Sequence, residues 1–203
     1  MRYSEFRIAF ESFPVFSTQD IRKRFSDYDG RRLVEWQAKG YLTKIKRGYY
    51  SLSQNARNES EIHFIANNIY SPSYVSIESA LAHYGFIPEA AFTVTSVSTK
   101  NTSTQRTPLG NFEYRHTKPS MYFGYKLLKF QNYSVRMAEP EKAILDFFYL
   151  STINNRSSIE EIRFNKIQLN ELLDTKRLTN YQQLIGSRIL DRRIRLFLKV
   201  IHA

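Results

Sequence analysis

Apolar and polar positions change rhythm along this chain, and each change predicts an element. Over residues 3–11, Phe6 and Phe10 stand four apart with Ile8 and Ala9 beside them. That is the spacing of a short amphipathic helix, which must end before Pro14. Ser17-Thr18-Gln19-Asp20 then has the form of a capping box, with Phe16 and Ile21 placed as a hydrophobic staple, so a second helix starts at Thr18 and runs to about Phe25. The same punctuation at Ser26 and Asp29 predicts a third helix after a turn of a few residues. Leu33 and Trp36 with Val34 form its apolar stripe, and Gly40 stops it. Leu42 and Ile45, then Tyr49, Tyr50 and Leu52 around Arg47-Gly48, predict a hairpin with cations at its tip.

Residues 53–60 are polar and read as a connection, dividing the chain into domains at 1–53 and 61–203. Ile62, Ile65, Ala66 and Ile69 fall at helical spacing over 61–70, Ser71-Pro72-Ser73 breaks the pattern, and residues 77–84 form another helix closed by Gly85. Period-two alternation predicts strands over 92–97, 112–116 and 133–137, with a polar loop at 99–107. Pro140 opens a helix that turns Ile144, Leu145, Phe147, Phe148 and Leu150 inward. From Ile159 the chain is helical in character. It closes on residues 187–201, with Ile189, Leu190, Ile194, Leu196, Phe197 and Val200 on the apolar side. The fold class is therefore α+β: an N-terminal winged helix-turn-helix, then a mixed α+β C-terminal domain with a small sheet and C-terminal helices.

Charge gives this architecture a direction. Thirty Lys and Arg against 19 Asp and Glu leave a formal net charge of +11, a field that attracts phosphate backbones, anionic lipid or an acidic partner. In a winged helix the third helix enters the major groove and the hairpin lies along the phosphates. Arg31, Arg32, Lys39, Lys44, Lys46 and Arg47 are then the expected contacts to double-stranded DNA. The same cations would also suit a solvated helix face or complement a helix C-terminus. Lys100 and Arg106 in the polar loop, and Arg188, Arg192 and Arg193 on the last helix, are further candidate contacts to DNA or a protein partner.

Other chemistries find little support. No run approaches the roughly 20 apolar residues of a membrane helix, and the start lacks the apolar core of a signal peptide, so a cytoplasmic location is the expectation. There is no cysteine. His63, His83, His116 and His202 are scattered without metal-ligand spacing, and the glycines stand singly, so neither metal nor cofactor is expected. Glu139-Pro140-Glu141-Lys142 clusters two carboxylates and a lysine, but helix-start chemistry accounts for them and no catalytic residue or enzyme activity is assigned.

Three stretches resemble the AbiEi family of bacterial antitoxins, from abortive-infection type IV toxin-antitoxin systems. They are Leu33-Val34-Glu35-Trp36-Gln37-Ala38-Lys39-Gly40-Tyr41-Leu42 with Lys46-Arg47-Gly48-Tyr49-Tyr50; Tyr74-Val75-Ser76-Ile77-Glu78-Ser79-Ala80-Leu81-Ala82-His83-Tyr84-Gly85-Phe86; and Ala138-Glu139-Pro140-Glu141-Lys142-Ala143-Ile144-Leu145-Asp146. The resemblance covers about residues 16–150. It implies a repressor of its own promoter that also neutralises a nucleotidyltransferase-like toxin through its C-terminal domain. The alternative is a stand-alone winged-helix regulator whose C-terminal domain dimerises or senses a ligand. Binding as a dimer on a palindromic site is the ordinary expectation for such a DNA reader.

Overall fold

The computed structural model describes residues 1–53, 57–88 and 93–202, and the molecule is mixed α+β with two small sheets and a helical C-terminal end. Its first part runs α1 (Tyr3–Phe10), β1 (Phe16–Ser17), α2 (Thr18–Arg24), α3 (Gly30–Ala38), β2 (Leu42–Lys46) and β3 (Tyr49–Leu52). The box that opens α2 is closed in both directions. Ser17 Oγ accepts from the Asp20 N–H at 3.2 Å, and the Asp20 carboxylate accepts from the Ser17 N–H at 2.8 Å.

The start of α3 departs from expectation. Asp29 rather than Ser26 is the cap, its carboxylate accepting from the Arg31 N–H at 2.9 Å, and the helix begins at Gly30. Asp caps at least as well as Ser, and here it stands directly before the helix. Val34, expected in the apolar stripe, is 66% exposed. Successive helical residues turn by about 100°, so a face that buries Leu33 and Trp36 carries Val34 outward. Gly40 ends the helix with φ at +72°, and the Tyr41 N–H donates back to the Trp36 carbonyl at 2.9 Å. The strands align antiparallel in the order β1-β3-β2, with an irregular step between Lys44 and Lys46. Phe6, Phe10, Phe16, Ile21, Leu33, Trp36, Leu42 and Leu52 fill the core beneath them.

The second part comprises α4 (Glu59–Ile69), β4 (Ser73–Val75), α5 (Ile77–His83), β5 (Thr93–Ser98), β6 (Ser103–Thr107), β7 (Gly110–His116), β8 (Tyr125–Lys129), β9 (Ser134–Ala138), α6 (Pro140–Leu150), α7 (Arg156–Glu161), α8 (Lys166–Leu172), α9 (Thr175–Ile185) and α10 (Arg188–Ile201). Its six strands lie in the order β6-β7-β5-β4-β9-β8. Three of them are the expected ones, although Phe92 lies outside the described residues. The expected polar loop is in part β6, an edge strand antiparallel to β7 with Arg106 opposite Asn111. Polar side chains suit an edge that faces water. Asn58 caps α4 by accepting from the Glu61 N–H at 2.9 Å, so the helix starts at Glu59 and the connection is shorter than its polarity suggested. Residues 54–56 of that connection lie outside the described residues. Ile189, expected on the apolar side of α10, is exposed, whereas Leu190, Ile194, Phe197, Val200 and Ile201 are buried.

Two features tie the molecule together. Val15 and Ile45 from the first part belong to the larger core, with Tyr49 packed against it, so β2 and β3 dock on the second part. Within that core α6 is buried almost throughout, including Glu141, Lys142 and Asp146. Asp146 accepts from the hydroxyls of Tyr74 and Ser76, each at 2.8 Å, and pairs with Lys142, whose ammonium also donates to the Tyr74 hydroxyl at 2.9 Å. Burial first, and the Asp146 carboxylate next, push the Tyr74 phenol well above its ordinary value, which keeps it a neutral donor. Glu141 accepts from the Asp174 N–H at 2.8 Å at the start of α9. Helix-start chemistry therefore does not account for all of this segment: Lys142 and Asp146 are members of a buried polar network joining α6 to β4.

Candidate nucleic-acid interface

The outward face of α3 carries the cations that the sequence singles out, and the helix itself decides how free each one is. Arg32 and Lys39 both reach the Glu35 carboxylate, at 3.2 Å and 2.8 Å. Lys39, and then Arg32, hold that carboxyl below its ordinary value, and Glu35 in turn raises Lys39. Arg31 is the most open of the three, with its side chain 93% exposed and its Nε 3.3 Å from Asp29. Arg31, exposed Val34 and exposed Ala38 follow i, i+3, i+7, so one outer stripe offers a cation, an aliphatic group and a methyl.

At the hairpin, Lys44 and Arg47 are exposed and make no ion pair among the described residues. Lys46 is placed differently. Its ammonium lies 5.3 Å from the centroid of the Tyr49 ring and 5.9 Å from that of Tyr70, and Lys100 reaches the same Tyr70 ring at 5.6 Å. Burial, with the Lys100 charge second, lowers the Lys46 pKa. The Tyr70 hydroxyl donates to the Asn101 carbonyl at 2.7 Å, which fixes the turn bearing Lys100 beside the hairpin. Two cations far apart in sequence thus share one aromatic ring, with no carboxylate paired to either among the described residues. Only the tertiary contact reveals this patch.

The remaining candidates stand elsewhere. Arg106 is exposed on β6, and Arg188 and Arg192 are exposed on α10, which packs against α6 and α7. Arg193 does not belong to that free face. Its Nη1 donates to the carbonyls of Phe148 and Ser151 at 2.6 and 2.7 Å, and its Nε to Asn154 at 2.9 Å, so it closes the C-terminal end of α6.

The histidines are less scattered than the sequence suggests. The His63 and His83 rings lie 6.1 Å apart beside Glu59, which the sequence reading passed over. The available signal was Glu59 and His63 at i, i+4 on one helix. Burial, partly offset by Glu59, pushes the His63 imidazole down to about 4. No helix among the described residues is long and apolar enough to cross a membrane. No family model matches this chain, and no curated protein matches it.

Proposed function

We propose that the chain is a winged-helix DNA-binding repressor that sets α3 in the major groove and its β2–β3 hairpin on the phosphates. The order α1-β1-α2-α3-β2-β3, with β1 added to the hairpin, supports this reading. The observation that carries it is the patch of Lys46 and Lys100 around Tyr70, paired with no carboxylate among the described residues, beside exposed Lys44 and Arg47. Like charges held together without a carboxylate suit a bound polyanion. Arg31, Val34 and Ala38 are the groups that would face base edges, with Val34 and Ala38 suited to thymine methyls. On this reading Arg32 and Lys39 remain linked to Glu35 or exchange it for phosphate. No catalytic step is assigned.

The same reading makes the promoter of the chain's own gene the DNA target, and the second part the region that would neutralise a nucleotidyltransferase-like toxin. The antitoxin role rests on the three sequence stretches alone. A stand-alone regulator that senses a ligand is the second reading, favoured by a cavity of about 510 Å³ between α4, α5 and β7. Co-purification of a toxin from the native operon separates the two.

The test is a gel shift on the DNA upstream of the gene, at two salt concentrations and against a scrambled competitor. Specific binding is expected, with the log–log salt slope falling by about 0.9 for each phosphate contact removed. Lys46→Ala, Arg47→Ala and Lys100→Ala should each lower it by that amount. Sequence-blind binding would overturn the repressor reading, and an unchanged slope in all three variants would remove the patch from the interface.

A further inference from the structure

The histidines show no metal-ligand spacing among themselves, yet the fold brings two of them and a carboxylate into a cluster of suitable donors. Glu59 and His63 stand one turn apart on α4, and α5 ends with His83 facing them. One ligand atom from each residue lies within 4.8 Å of the other two. His83 Nδ1 is 3.3 Å from Glu59 Oε1, and His63 Nε2 is 3.7 Å from the same oxygen. Around a tetrahedral ion with bonds of about 2.0–2.1 Å, neighbouring donors stand ~3.4 Å apart. Two of the three edges are already near that length. Rotation of the Glu59 and His83 side chains, 62% and 30% exposed, can close the third.

Two further observations set the cluster apart from a chance surface pairing. His63 is only 5% exposed, and its ring nitrogens reach no hydrogen-bond partner among the described residues, the 3.7 Å approach to Glu59 being too long for one. Packing holds the ring in place, while its nitrogens are not among the enclosed, unpartnered atoms of the core, so an ion can reach them from the cavities that His63 lines. The trio also forms the shared wall of two cavities, of about 510 and 240 Å³. An ion on three protein donors would therefore keep a coordination position open to a space large enough for an outside ligand.

Two imidazoles and one carboxylate are donors for zinc and its first-row neighbours, whereas calcium and magnesium take oxygen ligands throughout. We propose that Glu59, His63 and His83 form a binding site for a zinc-class divalent ion, with the fourth position facing the larger cavity. Occupancy would fasten the first turn of α4 to the end of α5. The site is independent of the DNA reading, and its test needs no DNA.

Tag-free protein, stripped with a chelator, is titrated with Co2+ as the spectroscopic probe and then with Zn2+ as the competitor. One equivalent of Co2+ should produce the visible bands of a four-coordinate ion, Zn2+ should abolish them, and Zn2+ should raise the melting temperature. His83→Ala and Glu59→Gln change side chains at the open rim, so they leave the core intact. Each should weaken Co2+ binding by at least about tenfold, which is the lower end of what losing even an outer-sphere partner of a metal ligand does. His202→Ala should leave binding unchanged. Absence of a one-to-one complex at micromolar metal, or persistence of the bands in both rim variants, would overturn the assignment.

Discussion

Replacing Lys142 by Met probes the buried network that joins α6 to β4. Lys142 is fully buried and Asp146 is 1% exposed, so the pair has little water to fall back on. Met keeps an unbranched chain of similar length against the Tyr74 and Phe123 rings, which lie 5.4 and 5.2 Å from the lysine ammonium. What disappears is the charge that compensates Asp146. The two hydroxyls donated by Tyr74 and Ser76 then hold a carboxylate with no cation beside it. Breaking one side of a buried pair typically costs about 3–5 kcal/mol. For a protein of this size 1 kcal/mol moves the melting temperature by roughly 2–4 °C, so a fall of about 6–20 °C is expected. The double variant Lys142→Met, Asp146→Leu removes both charges and leaves only the two hydroxyls without their acceptor, at about 1–3 kcal/mol each. It should therefore be less destabilised than the sum of the two single variants by more than about 1 kcal/mol. Urea denaturation followed by far-ultraviolet circular dichroism, with unchanged m-values, measures all four corners of the cycle. Additive single effects would refute the coupling, and a Lys142→Met cost below about 1 kcal/mol would refute the claim that the charge is structurally required.

Arg193→Ala should lower stability by about 2–4 kcal/mol, because two charge-assisted bonds to the end of α6 are lost from a half-buried guanidinium, whereas Arg192→Ala should stay within about 0.5 kcal/mol; thermal denaturation of the two variants side by side decides it. Glu35→Gln should release Arg32 and Lys39 and tighten DNA binding at low salt by about two- to threefold, the effect of one unit charge roughly 8 Å from phosphate in water. That gain should fade as salt rises, and a weakened complex in the gel shift would mean that the Glu35 pairs orient the cations for binding.

The elements that sequence made legible are those whose signals are local. The capping box at Ser17 and Asp20, the glycine stop at Gly40 and the alternation in β5, β7 and β9 are each written within a few residues. Three strands of the six-stranded sheet escaped for a common reason. Ser73–Val75 is too short to show a period, Ser103–Thr107 is polar on both faces, and Tyr125–Lys129 sets Leu127 outward at 59% exposure. Each takes its strand character from the neighbour it pairs with. Arg193 shows the converse: helical spacing puts it among exposed cations, but the end of α6 supplies carbonyl oxygens that draw it inward. The candidate sites follow the same division. The α3 cations could be read from the chain, whereas the meeting of Lys46 with Lys100, and of Glu59 and His63 with His83, exists only after the sheet and helices have closed.

The docking of the hairpin changes what a wing would do in this molecule. Ile45 and Tyr49 pack into the larger core, so Lys46 cannot move as the tip of a free loop without giving up buried apolar contact. A phosphate held between Lys46 and Lys100 would touch both parts of the chain at once, and binding there would resist any separation of the hairpin from the second part. On the proposed reading, anything that shifts the β5–β6 turn would also alter the grip on DNA, although that turn lies outside the helix-turn-helix. If the chain is the repressor proposed above, the second part has a physical route to influence repression: the position of Lys100 relative to Tyr70, set by the Tyr70 bond to the Asn101 carbonyl, would be a determinant of phosphate affinity.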